Sequence, residues 1–369
     1  MDPSVIVALV LVSAAGLAFE LGISSAIMEI LAGVLLTLFL DNIASMDWLR
    51  FLANMGMLGL MFMAGFEVDI PRLRSSWRAS AGIGVMSLGL PFLGVFAASR
   101  YLLGLEPQVA GLLGIGLSTT SLALVYHALK ERGLIRDPVG QTLLGAASVV
   151  DVLSMIGLAI LLGELGWGTA IFLLVVIPAM VGLPKFGDWI FRRYQGSVVE
   201  FELRFLLTVL VGMGFMAERI GGVHPAVVAF AVGLVMSEVV QDHEILEEKL
   251  KGIVFSFFAP IFFLQAGTQH NLRLVDAEVL KTAAVLFAVA CGLKYVGTAY
   301  PARRLLNTSG RFAGLLFNYR LSFGIITATV GLKIGLLTPA LYSVILLVVV
   351  GSAALPVIFL RDRPFELDR

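Results

Sequence analysis

The chain has 369 residues, of which 59% are hydrophobic and only 14% charged, and its 26 basic and 26 acidic side chains cancel. Soluble domains carry about 25% charged residues, so a mean hydropathy of +0.95 excludes an ordinary water-soluble fold and turns the apolar excess toward lipid. Zero net charge excludes a nucleic-acid partner, which needs a basic face to displace phosphate counterions. The lone Cys291 and four scattered histidines, His127, His224, His243 and His270, exclude an intrachain disulfide, a zinc cluster or an iron-sulfur centre.

Met1-Asp2-Pro3-Ser4 places no basic residue before the first apolar run, so a cleaved secretory signal is not expected. About twenty apolar residues cross a bilayer as a helix. On that ruler the chain is expected to be an all-α polytopic membrane protein of about thirteen spans. These start near Val5, Ile23, Phe51, Ala79, Gln108, Gly140, Thr169, Leu203, Pro225, Lys251, Leu280, Gly314 and Pro339. Alternate loops then hold 18 and six of the 26 Lys and Arg residues. Because cytoplasmic loops carry the basic excess, the carboxyl terminus is expected in the cytoplasm and the amino terminus outside. Loops of at most about twenty residues leave no room for a soluble catalytic or nucleotide-binding domain.

The polar stretch from Pro184 to Glu202, with Lys185, Asp188, Arg192, Arg193 and Glu200, divides the chain near its middle. Spans four to six and eleven to thirteen are offset by seven, and an odd offset inverts one copy relative to the other, as in many secondary transporters. Charged groups inside such spans are costly and usually face a cavity or a partner. In chain order they begin with Glu67, at the end of the third span. The fifth span reads Gly114-Ile115-Gly116-Leu117-Ser118-Thr119-Thr120-Ser121, a stretch able to unwind and offer oxygens to a hard cation or simply to bond the preceding turn. The sixth carries Asp151, read as a carboxylate for a proton or a monovalent cation rather than a helix-helix tie. The eleventh carries Lys294, too deep to reach either surface, which must find a carboxylate or lose its proton. The twelfth contains Asn318-Tyr319-Arg320-Leu321-Ser322. Its Arg320 always keeps its charge and has a structural reading, with Glu67 as a candidate partner. Glu29 and Glu238 lie near span ends and read as interfacial or structural, and His127 as a satisfied buried imidazole.

Taken together these residues resemble the second monovalent cation:proton antiporter family, most closely its thirteen-span bacterial sodium/proton antiporters. The resemblance runs through Met28-Glu29-Ile30-Leu31-Ala32-Gly33, Leu60-Met61-Phe62-Met63-Ala64-Gly65-Phe66-Glu67, Thr120-Ser121 with Glu131-Arg132-Gly133, Leu144-Gly145-Ala146-Ala147 leading to Asp151, Phe255 to Phe263, and Gly331-Leu332. It implies an inverted-repeat antiporter fold with two interrupted crossing helices, spans five and twelve. It also implies a core that moves like an elevator beside a dimerisation scaffold. The scaffold would comprise 1–78 and 201–272, the core 79–165 and 273–369, with 166–200 as a linking helix. On the same resemblance Asp151 is the ion-binding carboxylate, helped by Thr120 and Ser121, with Lys294 as its charge partner, and Ser118 of the fifth-span hydroxyl run joins them as a candidate ligand. Arg320, Glu67 and Ser322 take structural or gating roles, and a homodimer in the inner membrane is implied. Two departures stand out. Val150 fills the first position of the family's paired Asp-Asp or Asn-Asp motif, and Tyr319-Arg320-Leu321-Ser322 replaces the usual Pro-Arg-Gly-Glu.

The expected activity is exchange of a monovalent cation, Na+ ahead of K+, for protons that compete for Asp151, without a cofactor. Rival readings are an antiporter fold carrying a proton-coupled anion on Lys294 and Arg320, or a non-transporting membrane sensor. An enzyme is not expected, because no nucleophile-base pair or metal cluster can be assembled.

Overall fold

The computed structural model describes residues 2–40, 43–68, 76–135, 137–163, 167–194, 199–221, 223–241, 243–270, 275–307 and 310–360. Every regular element among them is helical. In chain order they are α1 (Pro3–Leu21), α2 (Ser25–Leu36), α3 (Asp47–Phe66), α4 (Trp77–Ala97), α5 (Pro107–Gly116), α6 (Leu122–Glu131), α7 (Pro138–Leu162) and α8 (Trp167–Tyr194). The second half adds α9 (Phe201–Met216), α10 (Pro225–Gln241), α11 (Glu244–Ile253), α12 (Ala259–Thr268), α13 (Ala277–Leu306), α14 (Arg311–Leu316), α15 (Ser322–Lys333) and α16 (Pro339–Leu360). Twelve of the thirteen expected span starts fall within four residues of a helix start, whereas Lys251 lies inside α11. Eight helices among the described residues are long and apolar enough to cross a membrane, and three shorter apolar helices accompany them. The expected roles of His127 and Glu238 lie outside the described residues, as does the Glu131 side chain. So do the loop charges Arg72, Arg74, Arg136, Arg273, Arg361, Arg363 and Arg369.

Local chemistry sets several helix ends. The Asp2 carboxylate accepts from the Ser4 amide ahead of α1, Pro3 opens its first turn, and Gly22 at φ 64° closes it in the left-handed region, where only glycine is unstrained. Asp276 likewise accepts from the amides of Glu278 and Val279 to start α13, satisfying donors that a helix leaves unpaired.

The chain divides into two compact units, each drawing on both halves of the sequence. One comprises Met1–Asp69 and Leu162–Gly267, the other Ile70–Leu161 and Thr268–Arg369. In the first unit, reciprocal glycines join two helix pairs at backbone distance. A Cβ on Gly65 of α3 would stand 2.0 Å from the Phe230 carbonyl oxygen of α10, and one on Gly233 2.0 Å from the Phe62 oxygen. Gly33 of α2 and Gly267 of α12 repeat the arrangement against Leu264 and Ile30. Small residues at such crossings let backbones approach where lipid offers no hydrophobic drive for association.

In the second unit α4 lies along α13, where the Thr298 and Ser87 hydroxyl oxygens lie 2.9 Å apart and share a hydrogen bond. Two helices of this unit are broken: α5 gives way to α6 across 117–121, and α14 to α15 across 317–321. The helix starts Trp77, Leu122 and Pro138 are followed by Ala277, Ser322 and Pro339 about 200 residues on, so the unit contains one succession of helices twice.

Gly65→Val places its branch against the Phe230 carbonyl, which belongs to a helix backbone and cannot yield. Overpacking of this kind costs about 1–3 kcal/mol or more. Purified Gly65→Val is therefore expected to melt several degrees below the parent by intrinsic fluorescence. Gly252→Ala, which meets nothing within 4 Å, is expected to melt where the parent does. Equal midpoints for Gly65→Val and the parent would contradict the close packing of α3 and α10.

Candidate functional site

The two helix breaks meet in the second unit. The Ser121 amide donates to the Tyr319 carbonyl at 2.6 Å, and Thr120 Oγ1 donates to the Phe317 carbonyl at 3.2 Å. Thr119 Oγ1 turns back to the Gly116 carbonyl at 3.3 Å. Irregular backbone survives inside a membrane protein only where its polar groups find partners. Here each break supplies part of what the other needs.

The remaining carbonyls at the end of α5 are held by cations. Lys294 and Arg320 are both fully buried. Lys294 Nζ donates to the Ser118 carbonyl at 2.6 Å and lies 5.9 Å from the centre of the Phe317 ring. Arg320 Nη1 donates to the neighbouring Leu117 carbonyl. Its Nη2 reaches the Ala290 carbonyl of α13 at 3.1 Å and Asn318 Oδ1 at 2.7 Å. Asn318 Nδ2 in turn donates to Gly314 at 2.9 Å, which fixes the amide the right way round for Arg320. The C-terminal end of a helix carries partial negative charge. Two successive carbonyls at that end of α5 thus receive one ammonium and one guanidinium.

Asp151 sits near the middle of α7 at 5% exposure. Lys294 feels the repulsion of Arg320 most among neighbouring charges, and the attraction of Asp151 after it. Val150, the residue at the position where the family's first acid or amide stands, is fully buried in an apolar cluster with Ile83, Leu144, Leu316 and Phe317. It therefore offers Lys294 no polar partner.

Arg320 needs an anionic or carbonyl partner, for which Glu67 is one candidate from the sequence, and it takes carbonyls. The Arg320 Nη1 and Nη2 groups donate to two backbone carbonyls and an amide oxygen. Glu67 caps the end of α3 in the first unit, where its charged neighbours are Lys251 and Glu247. Ser322 opens α15 and is half-buried. Glu29, read as interfacial or structural, is buried in α2 at 3% exposure. Ser118, Thr120, Ser121, Lys294 and Arg320 do converge on the two breaks, and Asp151 joins them through its charge. Sequence reasoning gave no role to Asn318, although a buried amide two residues before a buried arginine was a visible sign. It also missed Ser154, whose hydroxyl, like that of Ser118 and like Arg320 Nε, is buried without a hydrogen-bond partner among the described residues.

A polytopic helical membrane protein with two broken helices meeting beside a buried carboxylate has the site architecture of a secondary transporter. The model of the family described as "Sodium/hydrogen exchanger, transmembrane" matches residues 6–361, and the chain belongs to that family. This agrees with the resemblance to cation:proton antiporters read from its motifs. It is 28% identical over 349 residues to "Probable Na(+)/H(+) antiporter 3" of Methanocaldococcus jannaschii, covering 89% of this chain and 87% of that protein. It is 27% identical over 363 residues to "Na(+)/H(+)-K(+) antiporter GerN" of Bacillus cereus, covering 93% and 92%. Among solved structures it is similar in fold to the sodium proton antiporter MjNhaP1 of Methanocaldococcus jannaschii. That match has a TM-score of 0.71 at 16% identity and covers 98% of this chain and 97% of that one.

Lys294→Met and Arg320→Met each remove one buried charge, but they strand different numbers of acceptors. The first leaves the Ser118 carbonyl unbonded, and the second leaves the Leu117 and Asn318 oxygens unbonded, while the Ala290 carbonyl keeps its bond within α13. A buried unpaired acceptor costs about 1–3 kcal/mol. Arg320→Met is therefore expected to melt well below Lys294→Met in the same detergent. Equal midpoints would contradict the role of Arg320 as the main tie across the breaks.

Proposed function

We propose that this chain exchanges a monovalent cation for protons across a cytoplasmic membrane, with Asp151 carrying each in turn. The observation behind this reading is one carboxylate buried in the same unit as two broken helices and close enough to Lys294 to act on it. A carboxylate there is costly to keep ionised without a cation. Proton and metal ion compete for the same oxygens, so loading one excludes the other, and that exclusion couples their fluxes. Thr120, Ser121 and Ser118 contribute oxygens, and Lys294 balances Asp151 when the cation has left. Arg320 and Ser322 keep the second break in shape, and Glu67 closes the end of α3. Na+ is the favoured cation. K+ remains a substrate candidate because the relative GerN carries both ions in its name.

Alternating access is assigned to an elevator movement of the core helices against a dimerisation scaffold in a homodimer, with the amino terminus outside and the carboxyl terminus in the cytoplasm. The helices that recur about 200 residues apart support two inverted repeats as the frame for that movement. A second reading, a proton-coupled anion carrier, is favoured by one fact. Among the described residues of the second unit, two fully buried cations face one buried carboxylate.

Proteoliposomes enclosing a pH dye separate the readings. Outward-directed Na+ or Li+ gradients are expected to move internal pH, and Asp151→Asn is expected to abolish the response at least a hundredfold, since an amide holds neither ion. The apparent KM for Na+ is expected to rise as pH falls, because protons then occupy the shared carboxylate. Unchanged exchange in Asp151→Asn would overturn the cation reading. A pH change driven by chloride or a small organic anion in place of Na+ would establish the anion reading.

A further inference from the structure

The proposal concerns Ser154, and it rests on the reading of Asp151 as the cation-carrying group. Hydroxyls inside apolar helices normally bond a carbonyl one turn back, and five of the second unit do so. Thr142 donates to Pro138, Ser148 to Leu144 at 3.1 Å, Thr298 to Lys294, Thr327 to Phe323 and Ser343 to Pro339. Ser154 lies in the same helix as Ser148, is 1% exposed, and does not. Its Oγ has no hydrogen-bond partner among the described residues, and neither does the Oγ of fully buried Ser118. Ser99 shares that state, but it sits in the turn that closes α4, away from the breaks.

The first two hydroxyls lie on elements that pack against each other. A Cβ on Gly111 of α5 would stand 3.0 Å from a Leu161 methyl of α7, and one on Gly157 of α7 would stand 3.3 Å from the end of the Ile115 side chain. A step forward along α5 is thus matched by an equal step back along α7, so the two run antiparallel in this register. α5 ends at Gly116, and Ser118 follows two residues later in the break, where its carbonyl holds the Lys294 ammonium on which Asp151 acts. Asp151 and Ser154 are themselves three apart on one helix and share a face. Two hydroxyl oxygens withheld from protein acceptors therefore belong to the two packed elements that carry the carboxylate and the first break.

We propose that Ser154 Oγ, together with Ser118 Oγ, is a direct ligand of the transported cation beside Asp151. The chemical class is a small, hard monovalent cation, Na+ or Li+, which takes neutral hydroxyl oxygens readily once a carboxylate supplies the charge. A hydroxyl that already donates to a carbonyl can still lend a lone pair, but its position is then fixed by the helix. Ser154 and Ser118 are free of that constraint and can turn toward the ion. The same freedom explains why these two hydroxyls stay unbonded inside the unit.

The test uses full-length protein in proteoliposomes and in detergent. Ser154→Ala is expected to raise the KM for Na+ and Li+ about tenfold with maximal rate preserved, the size of one lost charge-assisted contact. It is also expected to reduce the melting shift produced by added Na+. In the absence of the ion it should melt no lower than the parent, because no protein bond is lost, a combination that a purely structural serine would not give. Ser148→Ala, whose hydroxyl is tied to Leu144, is expected to keep the parental KM. If both hydroxyls hold one ion, Ser118→Ala and Ser154→Ala combined should raise KM by less than the product of their separate effects. A parental KM and a parental Na+ melting shift in Ser154→Ala, in preparations where Asp151→Asn is inactive, would overturn the proposal and leave the reading of Asp151 standing. Exchange that survives Asp151→Asn would overturn both.

Discussion

Backbone carbonyls that lose their helical partners inside a membrane must be bonded by something else, and at the end of α5 that something is a pair of buried cations. Leu117 and Ser118 present their oxygens where the helix stops, and Arg320 and Lys294 take one each. Water is not at hand to do this in hydrocarbon, and each unmet group is expensive. The cations gain in return the negative end of a half-helix. Neither partner is stable alone at that depth, so the break and the two basic side chains depend on one another. Asn318 shows how tightly the arrangement is drawn: its oxygen receives Arg320 and its nitrogen is held by Gly314.

This arrangement leaves an uneven charge balance, and the proposed exchange follows from it. Arg320 keeps its proton under all ordinary conditions, whereas Lys294 and Asp151 can each change state. With Val150 folded into an apolar cluster, Lys294 has no acid at position 150, and it bonds the Ser118 carbonyl next to the Leu117 carbonyl that Arg320 holds. A cation arriving at Asp151 adds a further positive charge to a place already crowded with them. Release of protons relieves that crowding, which is a physical reason for coupling that needs no separate gate.

Much of the architecture was legible in the sequence because bilayer thickness and hydrophobicity impose long-range regularity. Most span starts and the depth of Asp151, Lys294 and Arg320 follow from it. The Gly114-Ile115-Gly116 run ahead of four hydroxyl residues marked the first break, and family resemblance rather than composition marked the second. What stayed hidden were choices among chemically equivalent acceptors. Nothing in a one-dimensional reading says that Arg320 prefers the Ala290 carbonyl and an amide to Glu67. Carbonyls carry no sequence signature, and any residue supplies one. Ser154 was passed over for a related reason. In sequence it looks like Ser148, and only the absence of a back-bond distinguishes them. The reciprocal glycines of α3 and α10 were equally silent, since a chain with 39 glycines gives no hint of which ones touch a backbone.

The most direct test of the competition at the centre of this account is proton release on cation binding, read in weakly buffered detergent solution with a pH indicator and no membrane or gradient. Addition of saturating NaCl at a pH where the site is protonated should liberate at least about half a proton per chain, fewer as pH rises, and choline chloride should liberate none. Sodium that binds, as shown by a calorimetric signal of the same protein, while the indicator stays still would mean that the two ions do not share a site.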